Sequence, residues 1–505
     1  MSVERFFYVS LTPKRKSVTL ASFAPTSCPL HIFHEGLQRR VVLEAISVNE
    51  VAKAINARIV GTPKWVVKVV CTNTREGLEP DALFFALRGE NTHGHKYVAQ
   101  AFKGGAAAAV VEEEVPEAGL PQLVVSDALQ ELGNFARYYR DLFDIPVIGV
   151  TGSVGKISTK EMIALALRAS MNVQANVENF NTEIGVPHTL FGLDRSHQAA
   201  VLEMAMRGPG QIKRLCEIAR PSIGVVTNIG LSHIEFLGSR DGIALDKAEL
   251  LRFLDADGVA VINADDEYAD FLAERCQCRV IAYGIEGNAD FRSTNITYSS
   301  EGDTRFKVNG VQGSVRASGK HHALNAATAC AVASLFDISL EQTAHQLASF
   351  APPKKRGEWF EMLNGAIFVD DTYNAAPDST RSALQTLSVL AEARGKQRKV
   401  AVLGDMKELE EFSSEAHNHA GKMVQEEGIQ MLITVGEAAQ EIASAATHLP
   451  QSLKHNFPTS SEAAKAIMSL ILPEDIVFVK GARAMRMEQI IQVVDPGPNV
   501  SKRNR

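Results

Sequence analysis

The sequence predicts an α/β protein of three domains, two of them built on parallel sheets. Three observations carry that prediction. The chain has 505 residues, and at ~100–200 residues per domain it has room for about three. Short apolar runs of strand length alternate with longer stretches of helical spacing, the rhythm of βαβ units whose sheets are covered on both faces. One of those runs ends in a glycine-rich turn and a helix, "PVIGVTGSVGKISTKEM" from 146 to 162. In such a turn, backbone N–H groups and a helix N-terminus face an anion.

Along the chain, residues 1–40 stand apart, because Arg5, Lys14, Arg15, Lys16, Arg39 and Arg40 face only Glu4 and Glu35 amid Ser, Thr and Pro. A transit peptide, a start placed too early and a disordered arm account equally for this basic N-terminal extension, which is set aside from the fold. From 41 to 143, "SVNEVAKAINA" has helical spacing, and "WVVKVV", "DALFFAL", "AAAAVVEE" and "LVVSD" predict the strands of a small α/β domain. From 144 to 350, "IPVIGV", "AAVLEMA", "IGVVTNI" and "GVAVINA" are the expected strands, and "KISTKEMIALALRAS" is a helix. "SFAPPKKRGEW", with its Pro pair and basic run, is the expected linker. From 351 to 505, "AIFVDD", "KVAVLGD", "MLITVG" and "DIVFVKG" alternate with "STRSALQTLSVLAEA" and "SEAAKAIMSLI", predicting a second parallel sheet.

Composition narrows the function classes. Hydrophobic residues make up 45% and charged residues 22%, with a net charge of -7 that is spread along the chain, so nucleic acid is not an expected partner. No apolar run approaches the ~18–20 residues of a membrane span. The six cysteines are scattered without a C-x-x-C pair, which reads as reduced thiols in a cytoplasmic compartment; a redox role for Cys276 and Cys278 is the lesser reading. A monomer is the default expectation.

In the glycine turn, Gly149, Gly155 and Lys156 read as part of a phosphate-binding loop of the G-x-x-x-x-G-K-[ST] kind, with Gly152 and Ser153 inside it and Lys156 reaching the β/γ oxygens. Where a hydroxyl ordinarily reaches magnesium stands Ile157, followed by Ser158. Glu203 ends "VLEMA" at a sheet's carboxyl edge and suits a metal ligand or a helix N-terminal acid equally. Asn228 and His233 lie beyond "VVTNIGLSH" and Lys247 lies in "DKAELL"; alone, that histidine reads as structural and that lysine as solvated. Asn263, Asp265 and Asp266 follow "VIN", where an Asx-rich turn is the plain alternative. "FVDDTYNAAPDS" packs Asp370, Asp371, Tyr373 and Asn374 into one strand-to-loop junction, and "VKGARAMRME" brings Lys480, Arg483 and Arg486 to another. Basic groups there suit phosphate or carboxylate capture, or a solvated turn. Each motif is weak alone; their order is the specific signal.

That order resembles the Mur ligases of peptidoglycan synthesis, ATP-dependent amide-bond formers, over about residues 43–490. The resemblance implies a central P-loop parallel-sheet ATPase domain flanked by a small N-terminal α/β domain that binds a UDP-linked substrate and a C-terminal Rossmann-like α/β ligase domain. "TNTREGLEPDALFFALRGE" is similar to the family's uridine-nucleotide segment, which implies substrate contacts from Thr74 and Arg75. "NFNTEIGVPHTL" likewise implies them from Asn181 and Thr182. "LEM", "TNIGLSH" and "DKAEL" resemble the segments that bear the metal-binding acid, the metal-binding histidine and a lysine carried as a carbamate. Magnesium is therefore expected on Glu203, His233 and a carbamoylated Lys247, with Lys156, His233 and Lys247 as the catalytic set. ATP is expected on Gly152, Ser153, Gly155, Lys156, Ser158, Asn263, Arg356, Asp370 and Asp371, and the peptide substrates on Tyr373, Asn374, Lys480 and Arg483. Within the family, "DDTYNAAPDS", "LGDMKELEEFS" and "VKGARAMRME" are similar to the members that join D-alanyl-D-alanine to UDP-N-acetylmuramoyl-tripeptide through an acyl phosphate.

Four positions depart from the family pattern. Ile157 offers magnesium no oxygen, and Ser158 points ~100° away along the helix, so a nucleotide site with weakened magnesium affinity is expected. Ala376 replaces an Asn near the incoming dipeptide, His322 replaces an Asn in "SGKHHALNAATA", and Ala482 replaces a Ser. These leave two rivals: a Mur-type ligase with a different amino-acid donor, and a catalytically weak nucleotide-binding regulatory protein.

Overall fold

The computed structural model describes residues 42–503 apart from 63–64, 75–79, 90–91, 120, 397 and 495–499. The basic extension and Arg75 therefore lie outside the described residues. The chain builds three sheets in succession, as the alternation predicts. In the first, Val66–Cys71, Ala82–Phe85, Ala108–Val111 and Gln122–Val124 run parallel, while Val42–Ser47 and Arg58–Val60 pair antiparallel at its two edges. The helix Ala128–Arg140 is capped by Asp127, whose carboxylate accepts from Gln130 N at 2.8 Å, and it buries Leu132, Phe135, Ala136 and Tyr139. Tyr139 Oη accepts from Glu44 N at 2.9 Å and donates to Leu193 O at 2.8 Å, so one phenol ties the first sheet's edge to the second region.

The second sheet has nine strands. Seven run parallel, in the spatial order Val173–Ala175, Ala199–Glu203, Val147–Thr151, Ile223–Val226, Val259–Asn263, Arg279–Gly284 and Phe291–Tyr298. Val147–Thr151, Ala199–Glu203 and Ile223–Val226 are buried throughout, which is why they read as unbroken apolar runs. Leaving Val147–Thr151, the chain goes outward to Val173–Ala175, returns through Ala199–Glu203 and then continues on the opposite side at Ile223–Val226. The glycine turn therefore sits where the strand order reverses, the place at which open α/β sheets form a ligand crevice. Thr304–Val308 and Val311–Val315 extend the far edge as an antiparallel hairpin that the sequence reading lacked.

In the third sheet, Lys454–Phe457, Met431–Val435, Arg398–Gly404, Asp475–Lys480 and Ile367–Asp371 are parallel, and Glu358–Met362 and Val500–Arg503 add antiparallel strands. The helix Pro377–Ala393 leads from Ile367–Asp371 to Arg398–Gly404, skipping over the strand between them. Residues 350–357 carry neither helix nor strand. Among the described residues no helix is long and apolar enough to cross a membrane.

Candidate active site

The strand Val147–Thr151 delivers a four-residue turn to the N-terminus of the helix Lys156–Leu167. Hydrogen bonds fasten that turn to the end of the neighbouring strand. Ser153 N donates to Asn228 O at 3.0 Å, Val154 N to Asn228 Oδ1 at 2.9 Å, Thr227 Oγ1 to Val154 O at 2.7 Å, and Gly230 N to Ser153 Oγ at 2.8 Å. Gly152 has φ +148°, and a Cβ there would stand 1.9 Å from Thr227 Oγ1, so only glycine permits this approach. One loop assignment is corrected: Gly149 stands six residues before Gly155, where the pattern needs five, and is a residue of the strand itself.

Two lysines converge on one carbonyl. Lys156 Nζ donates to Gly152 O at 2.8 Å and to Ser153 O at 3.1 Å, and Lys247 Nζ donates to Gly152 O at 3.0 Å. Lys247 comes from the helix Arg240–Arg252 and lies behind the turn, 1% exposed. Burial holds its ammonium well below the ordinary lysine range, with Lys156 adding to the effect and Asp246 opposing it. Burial also lowers Lys156, against the opposing pull of Glu203.

Glu203 ends its strand 2% exposed. Its Oε1 accepts from Asn181 Nδ2 at 2.8 Å, and its Oε2 is buried with no hydrogen-bond partner among the described residues. A buried carboxylate oxygen without a donor costs ~1–3 kcal/mol or more, and a hard cation satisfies it. The donor chemistry therefore fits magnesium. No group of three or more His, Cys, Asp and Glu side chains converges among the described residues, which suits an ion that keeps waters and takes phosphate oxygens. His233 holds φ +65° beyond the next strand, and its Nδ1 lies 2.6 Å from Glu408 Oε2. Burial pushes its imidazole below the ordinary value, with Lys156 adding to the shift and Glu408 opposing it.

A cleft of about 890 Å³ opens between these groups and the third sheet. On the second sheet's side it is lined by Ser153, Gly155, Lys156, Ser158, Asn181, Thr182, Glu203 and His233. Arg356, Asp371, Tyr373, Asn374 and Lys480 face them. The Arg356 guanidinium lies 3.9 Å from the centre of the Tyr373 ring. Lys480 Nζ pairs with Asp371 Oδ2 at 2.6 Å and donates to Asn374 O at 2.9 Å.

Several expected site residues lie off this wall. The Asn263 amide donates to Thr227 O at 3.0 Å and accepts from Asp265 N at 3.1 Å, joining two strand ends, while Asp265 and Asp266 line the cleft instead. Asp370 Oδ1 accepts from Thr372 N and Oγ1, at 3.1 and 2.6 Å, closing its own turn. The Arg483 guanidinium pairs with Glu488 at 3.2 Å, and its backbone N–H donates to Asn374 Oδ1 at 3.2 Å. Thr74 bonds Gln100 at 3.3 Å in the first region, away from this cleft. Ile157 lines the cleft at 7% exposure, presenting carbon where the pattern has oxygen. Thr159 Oγ1, His322 Nδ1 and Asn325 Nδ2 are buried close to the turn and the cleft without hydrogen-bond partners among the described residues. Burial, with Lys480 adding to it, pushes the neighbouring His321 down to about 4.

Known families match this arrangement along its length. Residues 70–159 match the model of the Mur ligase family catalytic domain, 150–333 that of the Mur ligase middle domain, and 355–483 that of the Mur ligase glutamate ligase domain. The UDP-N-acetylmuramoyl-tripeptide--D-alanyl-D-alanine ligase of Bacillus subtilis (strain 168) is 33% identical over 440 residues, covering 86% of this chain and 94% of the relative. This chain belongs to the Mur ligase family. The namesake enzyme of Synechocystis is 35% identical over 84% of this Mur ligase and 90% of its own length. Among solved structures, MurF from Acinetobacter baumannii superposes with a TM-score of 0.82 at 30% identity, covering 90% of this chain and 99% of that one. MurF ligase from Thermotoga maritima in complex with ADP gives 0.75 at 27%, covering 84% and 96%.

This Mur ligase also places in its cleft charged residues that sequence reading missed. Arg207 and Glu408 pair at 2.8 Å across it, and Asp378 Oδ2 accepts from Leu231 N at 3.3 Å. Glu408 lies inside "LGDMKELEEFS", a run noted for resemblance alone; the position of Glu408 just beyond a strand's carboxyl end was the usable signal.

Proposed function

We propose that this chain is an ATP-dependent amide ligase that adds D-alanyl-D-alanine to UDP-N-acetylmuramoyl-tripeptide. The observation that supports it best is one cleft in which a phosphate-type turn, the half-buried Lys156 and a carboxylate with one unsatisfied oxygen face Arg356, Asp371 and Lys480, with Lys247 buried behind the turn. The peptide carboxylate attacks the γ-phosphorus of ATP and ADP leaves, giving an acyl phosphate. The dipeptide amine then attacks the acyl carbonyl, phosphate departs, and the amine gives up a proton. Bringing two anions together needs cations: the turn's N–H groups and Lys156 hold phosphate oxygens, and Arg356 meets them from the opposite wall. Glu203 and His233 would hold magnesium, which supplies neutralising charge to the phosphates. Lys247, whose hold on its proton is weakened by burial, is suited to add CO2 as a carbamate, which would turn a repelling cation into an oxygen ligand. Asn181 orients Glu203 rather than meeting substrate first.

On this reading residues 41–143 bind the UDP portion with Thr74 and Arg75, 144–350 bind ATP, and 351–505 close over both. The protein acts as a monomer in the cytoplasm, where ATP and UDP-linked precursors meet. The test is phosphate release from ATP with each substrate omitted in turn. Release that needs both UDP-N-acetylmuramoyl-tripeptide and D-alanyl-D-alanine, with the amide product seen by mass spectrometry, supports the reading. Nucleotide binding without substrate-dependent turnover would support the regulatory protein instead.

A further inference from the structure

We propose that Glu408 is a positioning residue that fixes the tautomer of His233, so that His233 presents a lone pair to a cation only when the third sheet is seated on the second; this rests on the reading of His233 as a metal ligand. The two residues stand 175 apart in the chain and meet at 2.6 Å, His233 Nδ1 to Glu408 Oε2. The other oxygen, Oε1, accepts from the Arg207 guanidinium at 2.8 Å. Both carboxylate oxygens of a third-sheet residue are thus engaged by groups of the second region.

Chemistry then decides which nitrogen holds the proton. An ionised carboxylate only accepts, so Nδ1–H donates, and in the neutral ring the lone pair is then left at Nε2, which has no hydrogen bond among the described residues. Burial would raise the Glu408 carboxyl, but the hydrogen bonds from Arg207 and His233 outweigh it and keep the group below its ordinary value, as an acceptor needs. The backbone supports the pairing, because His233 at φ +65° and Glu408 at φ +62° are both held in the left-handed region that residues with side chains seldom occupy. A carboxylate behind a ligating histidine is the arrangement that fixes ring orientation and raises ligand basicity. Here it belongs to a different sheet from the ring. Asp378 makes a second crossing nearby, at Leu231 N, two residues before His233. Seating of the third sheet and readiness of the histidine are therefore one event.

The test begins with metal-free protein carrying 15N-histidine, whose two-bond 1H–15N correlations report the His233 tautomer, assigned by comparison with His233→Ala. The wild type is expected to show the Nδ1–H pattern; Glu408→Ala is expected to lose it and Glu408→Gln, which keeps an acceptor oxygen, to retain it in part. The second readout is Mn2+ binding to the protein with ADP, followed by electron paramagnetic resonance. Glu408→Ala is expected to weaken Mn2+ about 10–100-fold, the range found for loss of such partners, and His233→Ala at least as much. An unchanged tautomer in Glu408→Ala, or tighter Mn2+ binding, overturns the proposal, the latter because Glu408 would then be withholding the ring. Unchanged Mn2+ affinity in His233→Ala instead overturns the metal-ligand reading beneath it. Glu408 is partly exposed, with 30% of its side-chain surface open, so folded variants are expected, and Arg207→Ala provides a second variant that loosens the same carboxylate.

Discussion

Ile157 is a single side chain whose chemistry bears on the whole phosphate site. It lies against the cleft with 7% of its surface exposed, and no carbon there can replace a water on magnesium. Ile157→Thr is expected to lower the magnesium concentration for half-maximal turnover several-fold, at the cost of about 1 kcal/mol of stability from lost apolar burial. A magnesium titration at fixed ATP checks this, and an unchanged midpoint would mean that Glu203 and water already hold the ion well. Lys247 makes the opposite case, a buried polar group whose removal should not harm the fold. Its amine has Gly152 O as its only hydrogen-bond partner among the described residues, and that carbonyl keeps Lys156 when Lys247 is lost. Lys247→Met is therefore expected to leave the melting temperature unchanged or raised, since a desolvated amine is replaced by thioether, while kcat falls at least ~100-fold. Wild-type activity should also fall in CO2-stripped buffer and return with bicarbonate; indifference to CO2 in steady-state assays would count against the carbamate.

Elements were legible in proportion to their burial on both faces. Val147–Thr151, Ile223–Val226, Met431–Val435 and Asp475–Lys480 are buried from end to end, so apolar residues dominate their sequences and mark them without further context. Phe291–Tyr298 is mostly half-buried or exposed and is rich in Ser, Thr and Asn, so it offered no apolar run. Its hairpin partners meet at Asn309 and Gly310, both at positive φ, and that Asn-Gly pair was the available clue. The site divides in the same way. The glycine turn was readable because its residues act within one strand-turn-helix unit, whereas Glu408 and Asp378 act on partners 175 and 147 residues away and were not singled out. Asn263 was ambiguous for a different reason: an Asx side chain at a strand end serves a ligand or a neighbouring backbone with the same local pattern, and here it bonds Thr227 O. Within the third sheet, Arg398 and Asp475 bind adjacent parallel strands by two contacts, at 2.6 and 2.7 Å, with the Asp475 side chain fully buried. Arg398→Ala leaves that carboxylate with Leu472 N as its one remaining donor among the described residues, and is expected to cost ~3–5 kcal/mol in urea unfolding. Arg398→Lys should recover part of it, because a point charge replaces a fork.

At the scale of the molecule, the charge needed for phosphoryl transfer is divided between two sheets. The turn's N–H groups, Lys156 and Glu203 belong to the second, and Arg356, Asp371 and Lys480 to the third, with the Arg356 guanidinium 3.9 Å from the centre of the Tyr373 ring. A nucleotide diphosphate can therefore be held by the second sheet alone, while the transferring γ-phosphoryl group needs both. Arg356→Ala is accordingly expected to lower kcat ~10²–10³-fold while leaving ADP affinity within about threefold, the signature of an interaction made mainly in the transition state. Calorimetric titration of ADP against steady-state phosphate release separates the two quantities. Arg356→Lys restores charge but neither the fork nor the guanidinium contact with the Tyr373 ring, so it should recover only a small part of the rate. If ADP affinity and kcat fell by the same factor, the third sheet would already grip the ground-state nucleotide, and Arg356 would serve binding rather than the timing of catalysis.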